Sequence, residues 1–490
     1  MDHRRNIPLE MDKSEFKKLG YQLIDTLSDF LSTIDQKPIT SGETPRQIQK
    51  ILGEAGLPEQ GKPASELFSR ASDLLLQHSL FNGHPKFMGY ITGSPAPIGI
   101  LSELLASTVN PNVGANILSP MATAIEKQTI QWLAEFIGLG PGYGGILMSG
   151  GNMANFNAFL AARTAKAPKN LKEDGLAKID DLVLYCSKAT HTWIEKAAVL
   201  FGHGSKAIRW IATDTVNRMK TDVLAAAIQE DLRNGKKPFL VIGTAGDVST
   251  GAVDDFSTIA KICKDHDLWF HIDGAYGIPA AVLPDQRALF KSIGEADSIA
   301  IDPHKWLYAP LEVGCTLVKN PQHLIDTYSS HPVYYNFSAS EDMPATNFYE
   351  YGFQNSRGFR ALKVWMALQQ VGRIGYVNMI NNDIVMARRL FDAAASHPEL
   401  EAVTNSLSIT TLRYVPAGYT GDEDYLKKLN ESLLNDLQRG GEVFLSNAVV
   451  EGKYCLRGCI VNFRTTSKDI DEIVEIVVRD GRKVHQRMKT

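Results

Sequence analysis

The chain has 490 residues, of which 44% are hydrophobic and 22% charged, with a formal net charge of −4 at pH 7. It is too long for one ordinary hydrophobic core, so a large domain with smaller companions is expected. The balanced charge excludes a nucleic-acid binder or a basic membrane-surface protein, and the absence of a signal core or a bilayer-length apolar run points to the cytoplasm.

A helix is predicted from Asp12 to about Ile34, where Phe16, Leu19, Leu23, Leu27 and Phe30 recur at three- and four-residue intervals. Tyr21 and Ile24 widen its apolar stripe enough for a second subunit to pack there. A turn-rich linker, "DQKPITSGETP", leads to a short amphipathic helix around "PRQIQKILGEAG". The Gly- and Pro-rich "NGHPKFMGYITGSPAP", carrying Tyr90, reads as a long loop, either a binding element or an interdomain strap. From residue 145 seven apolar, β-rich runs recur: "GILMS", "LVLYCS", "AIRWIA", "FLVIGTA", "WFHIDGA", "SIAIDP" and "CTLVKN". Helical stretches such as "NMANFNAFLAARTAKA" separate most of them, the rhythm of a mostly parallel α/β sheet. After "SRGFRALKVWMALQQVG", a helical region at 373–396, the strand-like "LSITTLRYV" and "LRGCIVNFRT", and a closing helix "DIDEIVEIVVRDGRKV" form a small α+β unit. The expected division is an N-terminal helical segment with its loop (1–98), a large α/β domain (99–372) and a small C-terminal α+β domain (373–490). The five cysteines read as free thiols of a reducing compartment, and Cys455 and Cys459 in "CLRGC" lack the second ligand pair of a zinc site.

Ligands of open parallel sheets sit at the carboxyl ends of the strands. Just past the predicted strands stand Gly150-Gly151-Asn152, then His191, Thr244, Asp273, and finally Asp302, His304 and Lys305. Singly, each has an ordinary structural explanation. Glycine pairs are common at strand–helix turns, and a lone histidine is usually a hydrogen-bonded core residue. Asp273 could cap a helix. It could also ligate a metal with His271 on the same strand face, but no further ligand follows at suitable spacing, so no metal is expected. Lys305 could pair at the surface, but an apolar strand and "WLYAP" flank it, a poor setting for a solvated ammonium and a good one for an amine nucleophile. Together, a lysine amine, a carboxylate, an anion-binding helix start and an imidazole that can stack on a ring are what pyridoxal 5'-phosphate requires.

"HIDGAYG" followed by "DPHKW" resembles the group II pyridoxal-phosphate decarboxylases, the family of the aromatic L-amino acid, tyrosine, glutamate and histidine decarboxylases. The resemblance extends over nearly the whole chain, through "HPKFMGYITGSPAP", "LMSGGNMANFNAFLAAR" and "RGFRALKVWMALQQVG". It implies an aspartate-aminotransferase-like (fold type I) enzyme, a homodimer with its active sites at the interface. Lys305 would carry the cofactor and Asp273 would partner its ring nitrogen. His191 would stack on the ring and touch the substrate carboxylate. Gly150, Gly151, Ser298, Asp302 and His304 would surround the phosphate, with Thr244 near the ring hydroxyl. Tyr334, in "HPVYYNF", would be the proton donor, on a loop reaching the neighbouring subunit, with Tyr335 as the adjacent alternative. Tyr90 and Thr92 would line the substrate, and Ser356 stands where related enzymes vary between small residues with phenolic or indolic substrates. Three positions depart from the family pattern: Gly151 and Gly246 lack a hydroxyl, and Asp302 replaces a common Asn. A carboxylate beside phosphate is unfavourable, so Asp302 is expected to orient His304 or a backbone amide.

The implied activity is that of a carbon–carbon lyase, decarboxylating an aromatic L-amino acid of the tyrosine, phenylalanine, tryptophan or DOPA class. Lys86 aside, no basic cluster marks a site for a glutamate side chain. The alternatives on the same fold are an aromatic aldehyde synthase and a decarboxylase of a non-aromatic amino acid. Tyr334, rather than phenylalanine, argues against the first. Intact Lys305, Asp273 and His191 argue against a non-catalytic cofactor-binding protein.

Overall fold

The computed structural model describes residues 7–167, 171–176, 181–330 and 345–489. All seven apolar runs become strands of one sheet: β1 (Gly144–Met148), β2 (Leu182–Ser187), β3 (Ile208–Ile211), β4 (Lys237–Thr244), β5 (Trp269–Asp273), β6 (Ser298–Ile301) and β7 (Gly314–Val318). Their order is β1-β7-β6-β5-β4-β2-β3. Pairing is parallel from β6 through β5, β4 and β2 to β3, and β7 runs antiparallel to both β1 and β6. The connections explain the exception. A helix such as Phe256–Asp265 carries the chain back over the sheet between β4 and β5. Between β6 and β7 there are only the turns of "DPHKWLYAPLEV", so the chain returns alongside in the opposite direction. Every residue of β2, β5, β6 and β7 is buried, which is why these runs are apolar throughout rather than alternating.

The first predicted helix runs Lys13–Ser32, and Asp12 caps it by accepting from the amides of Ser14 and Glu15 at 2.7 and 2.9 Å. The short one is Pro45–Leu52, opened by a Thr44–Gln47 capping box. Three further helices, Ala64–His78, Pro97–Val109 and Pro120–Phe136, were not anticipated. The Gly83–Ala96 stretch between them is irregular, apart from a bridge between Phe87 and Phe444.

The long helix Ala361–Ser396 is interrupted at Gly372, whose φ of 66° is left-handed, so the region predicted from 373 is its second part. That part leads into a second, antiparallel sheet of β8 (Leu400–Ser406), β9 (Ile409–Tyr414), β10 (Ser446–Val450) and β11 (Lys453–Cys459), in the order β10-β11-β9-β8. Tyr376 and Ile380 of the helix pack into the core of the large sheet, and Ala387, Leu390 and Ala394 into that of the small one. One helix therefore couples the two cores. The five cysteines are all free and buried. Among the described residues no helix is long and apolar enough to cross a membrane, and no group of three or more His, Cys, Asp or Glu could hold a metal ion.

Candidate active site

The carboxyl ends of β1, β2, β4, β5 and β6 open on one cavity of about 660 Å³, a size suited to a small-molecule site. Tyr90, Gly150, Gly151, His191, Thr244, Asp273, Asp302, His304 and Lys305 all line it. Ser298 does not. It opens β6 instead of ending it, level with His271 in the pairing, and is fully buried under the cavity floor. There its Oγ accepts from Trp269 Nε1 at 2.8 Å and contacts His271 Nδ1 at 2.8 Å. Thr92 is half-buried and Ser356 exposed, and neither is on the cavity wall. Tyr334 and Tyr335 lie outside the described residues.

Asp273, the last residue of β5, is buried, and both its oxygens are engaged. Oδ2 accepts from Trp193 Nε1 at 2.7 Å and Oδ1 from the Ala275 amide at 3.3 Å. The same Trp193 donates its backbone N–H to His191 Nδ1 at 3.3 Å. One tryptophan thus ties the carboxylate at the end of β5 to the imidazole that follows β2. Sequence reasoning missed it, although a buried tryptophan two positions past His191 needs an acceptor for its indole N–H. The His191 ring is open to solvent on its outer side. Burial of its inner side lowers its pKa, outweighing the pull of Asp273, and Lys305 adds to the lowering, so the ring is neutral near pH 7. Beneath lies His271, with Nε2 2.7 Å from Asn155 Oδ1. Its burial pushes the pKa down to about 4 against the opposing charge of Asp273. Thr244 ends β4 with its amide bonded to Asp254 Oδ2 at 2.8 Å and its hydroxyl 3.4 Å from that of Thr190.

The glycine turn and the lysine meet across Asp302. Gly150 has φ 94° and caps the helix Gly151–Lys166, so the free amides of the helix start face the cavity. Asp302 Oδ2 lies 3.1 Å from Lys305 Nζ and 3.7 Å from His304 Nε2. A side chain on Gly151 would meet that same oxygen at 2.6 Å. Two departures from the family pattern are therefore one: the Asp302 carboxylate occupies the space that a side chain at 151 would need. Gly246 has a similar cause, since a Cβ there would lie 2.8 Å from the Tyr276 ring. The His304 ring lies under the turn, with Nδ1 donating to the Val313 carbonyl at 2.6 Å. Burial lowers its pKa, with Asp302 pulling the other way.

The outer end of the cavity comes from other elements. Tyr90 is 61% exposed, and its backbone is left-handed, with φ 49°. Its amide donates to Ser446 Oγ at 3.1 Å. The same hydroxyl accepts from Arg457 Nη2 at 2.7 Å, and Arg457 Nη1 donates to the Val248 carbonyl. Arg457 is 3% exposed, lines the cavity, has no carboxylate partner among the described residues, and leaves Nε unbonded. A buried guanidinium so placed calls for an anion. Its sequence signal was an arginine inside the apolar strand "YCLRGCI".

A fixed amine, a buried carboxylate, a neutral imidazole at the rim and a side-chain-free helix start fit the amine-bound aldehyde, ring nitrogen, ring face and phosphate of pyridoxal phosphate. The buried Asp302 Oδ1, which has no hydrogen-bond partner, is a further polar atom beside that cradle. Residues 45–412 match the model of the pyridoxal-dependent decarboxylase conserved domain. The chain is 34% identical over 472 residues to an aromatic-L-amino-acid decarboxylase of Bacillus atrophaeus, covering 95% of each. The crystal structure of Oryza sativa TDC with PLP and tryptamine superposes with a TM-score of 0.91 over 98% of this chain and 99% of that one, at 24% identity. Rhodiola rosea 4-hydroxyphenylacetaldehyde synthase does so with a TM-score of 0.86 over 96% and 99%, at 25% identity.

Proposed function

This chain belongs to the pyridoxal-dependent decarboxylase family, and we propose that it converts an aromatic L-amino acid into carbon dioxide and the corresponding amine. It is a fold type I lyase with pyridoxal phosphate as its cofactor. The observation that carries the reading is that Lys305 and Asp273 open into one cavity beside a glycine-capped helix start. When bound, the cofactor supplies an electron sink for the pair of electrons left behind by carbon dioxide.

The chain's own residues do the rest. Lys305 would hold the cofactor through its side-chain amine. Asp273, bonded to Trp193, would keep the ring nitrogen protonated. The amides after Gly150 and Gly151, with His304 below, would hold the phosphate, and Thr244 would offer its hydroxyl to the cofactor. Asp302 keeps the Lys305 ammonium in place by a 3.1 Å ion pair. His191, neutral, would cover the ring face and border the substrate carboxylate. Arg457 attracts that carboxylate as the amino acid enters. Tyr90, Ile91, Val248 and Leu311 give an apolar wall for an aromatic side chain. Tyr334 as proton donor is part of the proposal and lies outside the described residues.

The working unit is proposed to be a homodimer. The helix Ala64–His78 buries none of its residues, and Pro97–Val109 buries only Gly99 and Ser102 while exposing Leu101, Leu104, Leu105 and Val109. Apolar faces of that extent mark a protein interface.

A panel of tyrosine, DOPA, phenylalanine, tryptophan and glutamate, given to cofactor-saturated protein and read out for carbon dioxide, amine, aldehyde and peroxide, tests the reading. Equal amounts of carbon dioxide and aromatic amine support it. Aldehyde and peroxide in excess of amine would establish the synthase reaction instead, and preference for glutamate would reject the aromatic assignment.

A further inference from the structure

We propose that Asp383 is a positioning residue: from behind the Lys305 turn it fixes Trp306 and Tyr308, and through them the direction in which the lysine amine enters the cavity. The proposal rests on Lys305 as the residue that bonds the cofactor. Asp383 lies on the helix Ala361–Ser396, outside the cavity lining and 3% exposed. Its Oδ2 accepts from Trp306 Nε1 at 2.9 Å and from Tyr308 Oη at 2.7 Å. Those residues stand one and three places after Lys305, in a stretch with neither helix nor strand to hold it.

Other contacts close the turn from every side. The Trp306 ring stacks on Tyr276 at 5.0 Å, and Tyr276 lines the cavity. Tyr308 has the left-handed φ of 56°, a conformation a tyrosine keeps only when its surroundings impose it. Tyr376, on the same helix as Asp383, donates to the Leu307 carbonyl at 3.1 Å, and the Ala96 amide donates to the Tyr308 carbonyl at 2.8 Å. Gly93 presses against the Lys305 carbonyl so closely that no side chain fits there. Asp383 has no basic partner among the described residues, and burial raises its carboxyl to about pKa 7. A carboxyl in so costly a place is compensated by its donors, the side chains of Trp306 and Tyr308 and the backbone of Asn462. Because its helix joins the two cores, Asp383 also ties the lysine turn to the small sheet.

The test combines D383L, which removes the acceptor, D383N, which keeps one, and Y308F, which removes a single hydroxyl. E399Q in the distant Glu399–Arg482 pair serves as the control for stability alone. For each, cofactor uptake by the cofactor-free protein, the pH midpoint of the bound cofactor's absorbance, kcat and KM are measured beside the melting temperature. Misplacement of a reacting group predicts uptake about fivefold slower and kcat about tenfold lower in D383L, with KM changed less than about twofold. The midpoint should move by about half a pH unit or more, in the same direction but less for Y308F, with D383N restoring much of the loss. E399Q should melt earlier with midpoint and uptake unchanged. If D383L does not fold, Y308F decides. Variants that melt earlier but keep the parent's uptake and midpoint would overturn the proposal and leave Asp383 a structural residue. Borohydride trapping of the parent keeps the two claims apart: an adduct on a lysine other than Lys305 rejects the site assignment, whatever the Asp383 variants do.

Discussion

The two ends of the cavity are built differently. At the cofactor end, Asp273, Thr244, Lys305 and the glycine turn follow four strands of one sheet, and their spacing is set by the sheet itself. Both Asp273 oxygens are bonded, and the histidine below them is locked between Ser298 and Asn155. At the outer end, Tyr90 comes from an irregular loop and Arg457 from the second sheet, both bonded to the Ser446 hydroxyl, while Leu311 stands 61% exposed. A sheet edge fixes chemistry with few atoms to spare. A rim assembled from three elements can vary without disturbing it, and we propose that substrate choice resides there.

The contrast is broken most severely at the cofactor end. Asp273→Asn cannot keep a ring nitrogen protonated, and kcat should fall on the order of a hundredfold or more with the fold intact. Near-normal turnover would show that the carboxylate has another task. At the outer end, Arg457→Met should raise KM for the amino acid by roughly ten- to a hundredfold, the worth of a hydrogen bond to a charged group, with a smaller change in kcat. A pure kcat effect would move Arg457 to the cofactor end. Trp193→Phe leaves one Asp273 oxygen without its donor. Its kcat should fall roughly two- to tenfold, and the His191 edge should loosen, seen as weaker cofactor retention on dialysis. The last effect concerns acid. His271 titrates lower folded than its ordinary value of about 6.5, so its contribution to stability is complete above that pH and is lost as pH falls toward about 4. The melting temperature should therefore drop over that interval by the equivalent of roughly 1 to 3 kcal/mol, and His271→Gln should flatten the drop. An unchanged slope would mean that the imidazole is not the titrating group.

The same contrast governs what could be read without coordinates. Buried strands leave unbroken apolar runs, so all seven strands of the large sheet were legible, and the polar residues at their ends stood out against them. β8 and β10 were not, because "LEAVTNS" is half-buried along its length and mixes polar with apolar residues, and "SNAVV" alternates buried with exposed positions. Pro97–Val109 is apolar nearly all round, so no one-sided stripe announced it, whereas Ala64–His78 carries such a stripe and sequence reasoning missed it. Ser298 was assigned to the phosphate although it opens its strand, and the rule that ligands lie past strand ends would have excluded it. Asp302 was expected to orient His304 or a backbone amide, and its carboxylate lies nearer to Lys305 than to His304. Trp193 and Arg457 required knowing which side chains from remote segments meet, which spacing along a strand does not tell.

The most direct test is covalent. The purified protein should be yellow, and reduction with borohydride followed by peptide mapping by mass spectrometry should find the cofactor fixed to Lys305, with Lys305→Ala neither trapping it nor turning over substrate. An adduct on another lysine, or none while cofactor remains bound, would contradict the account of this site.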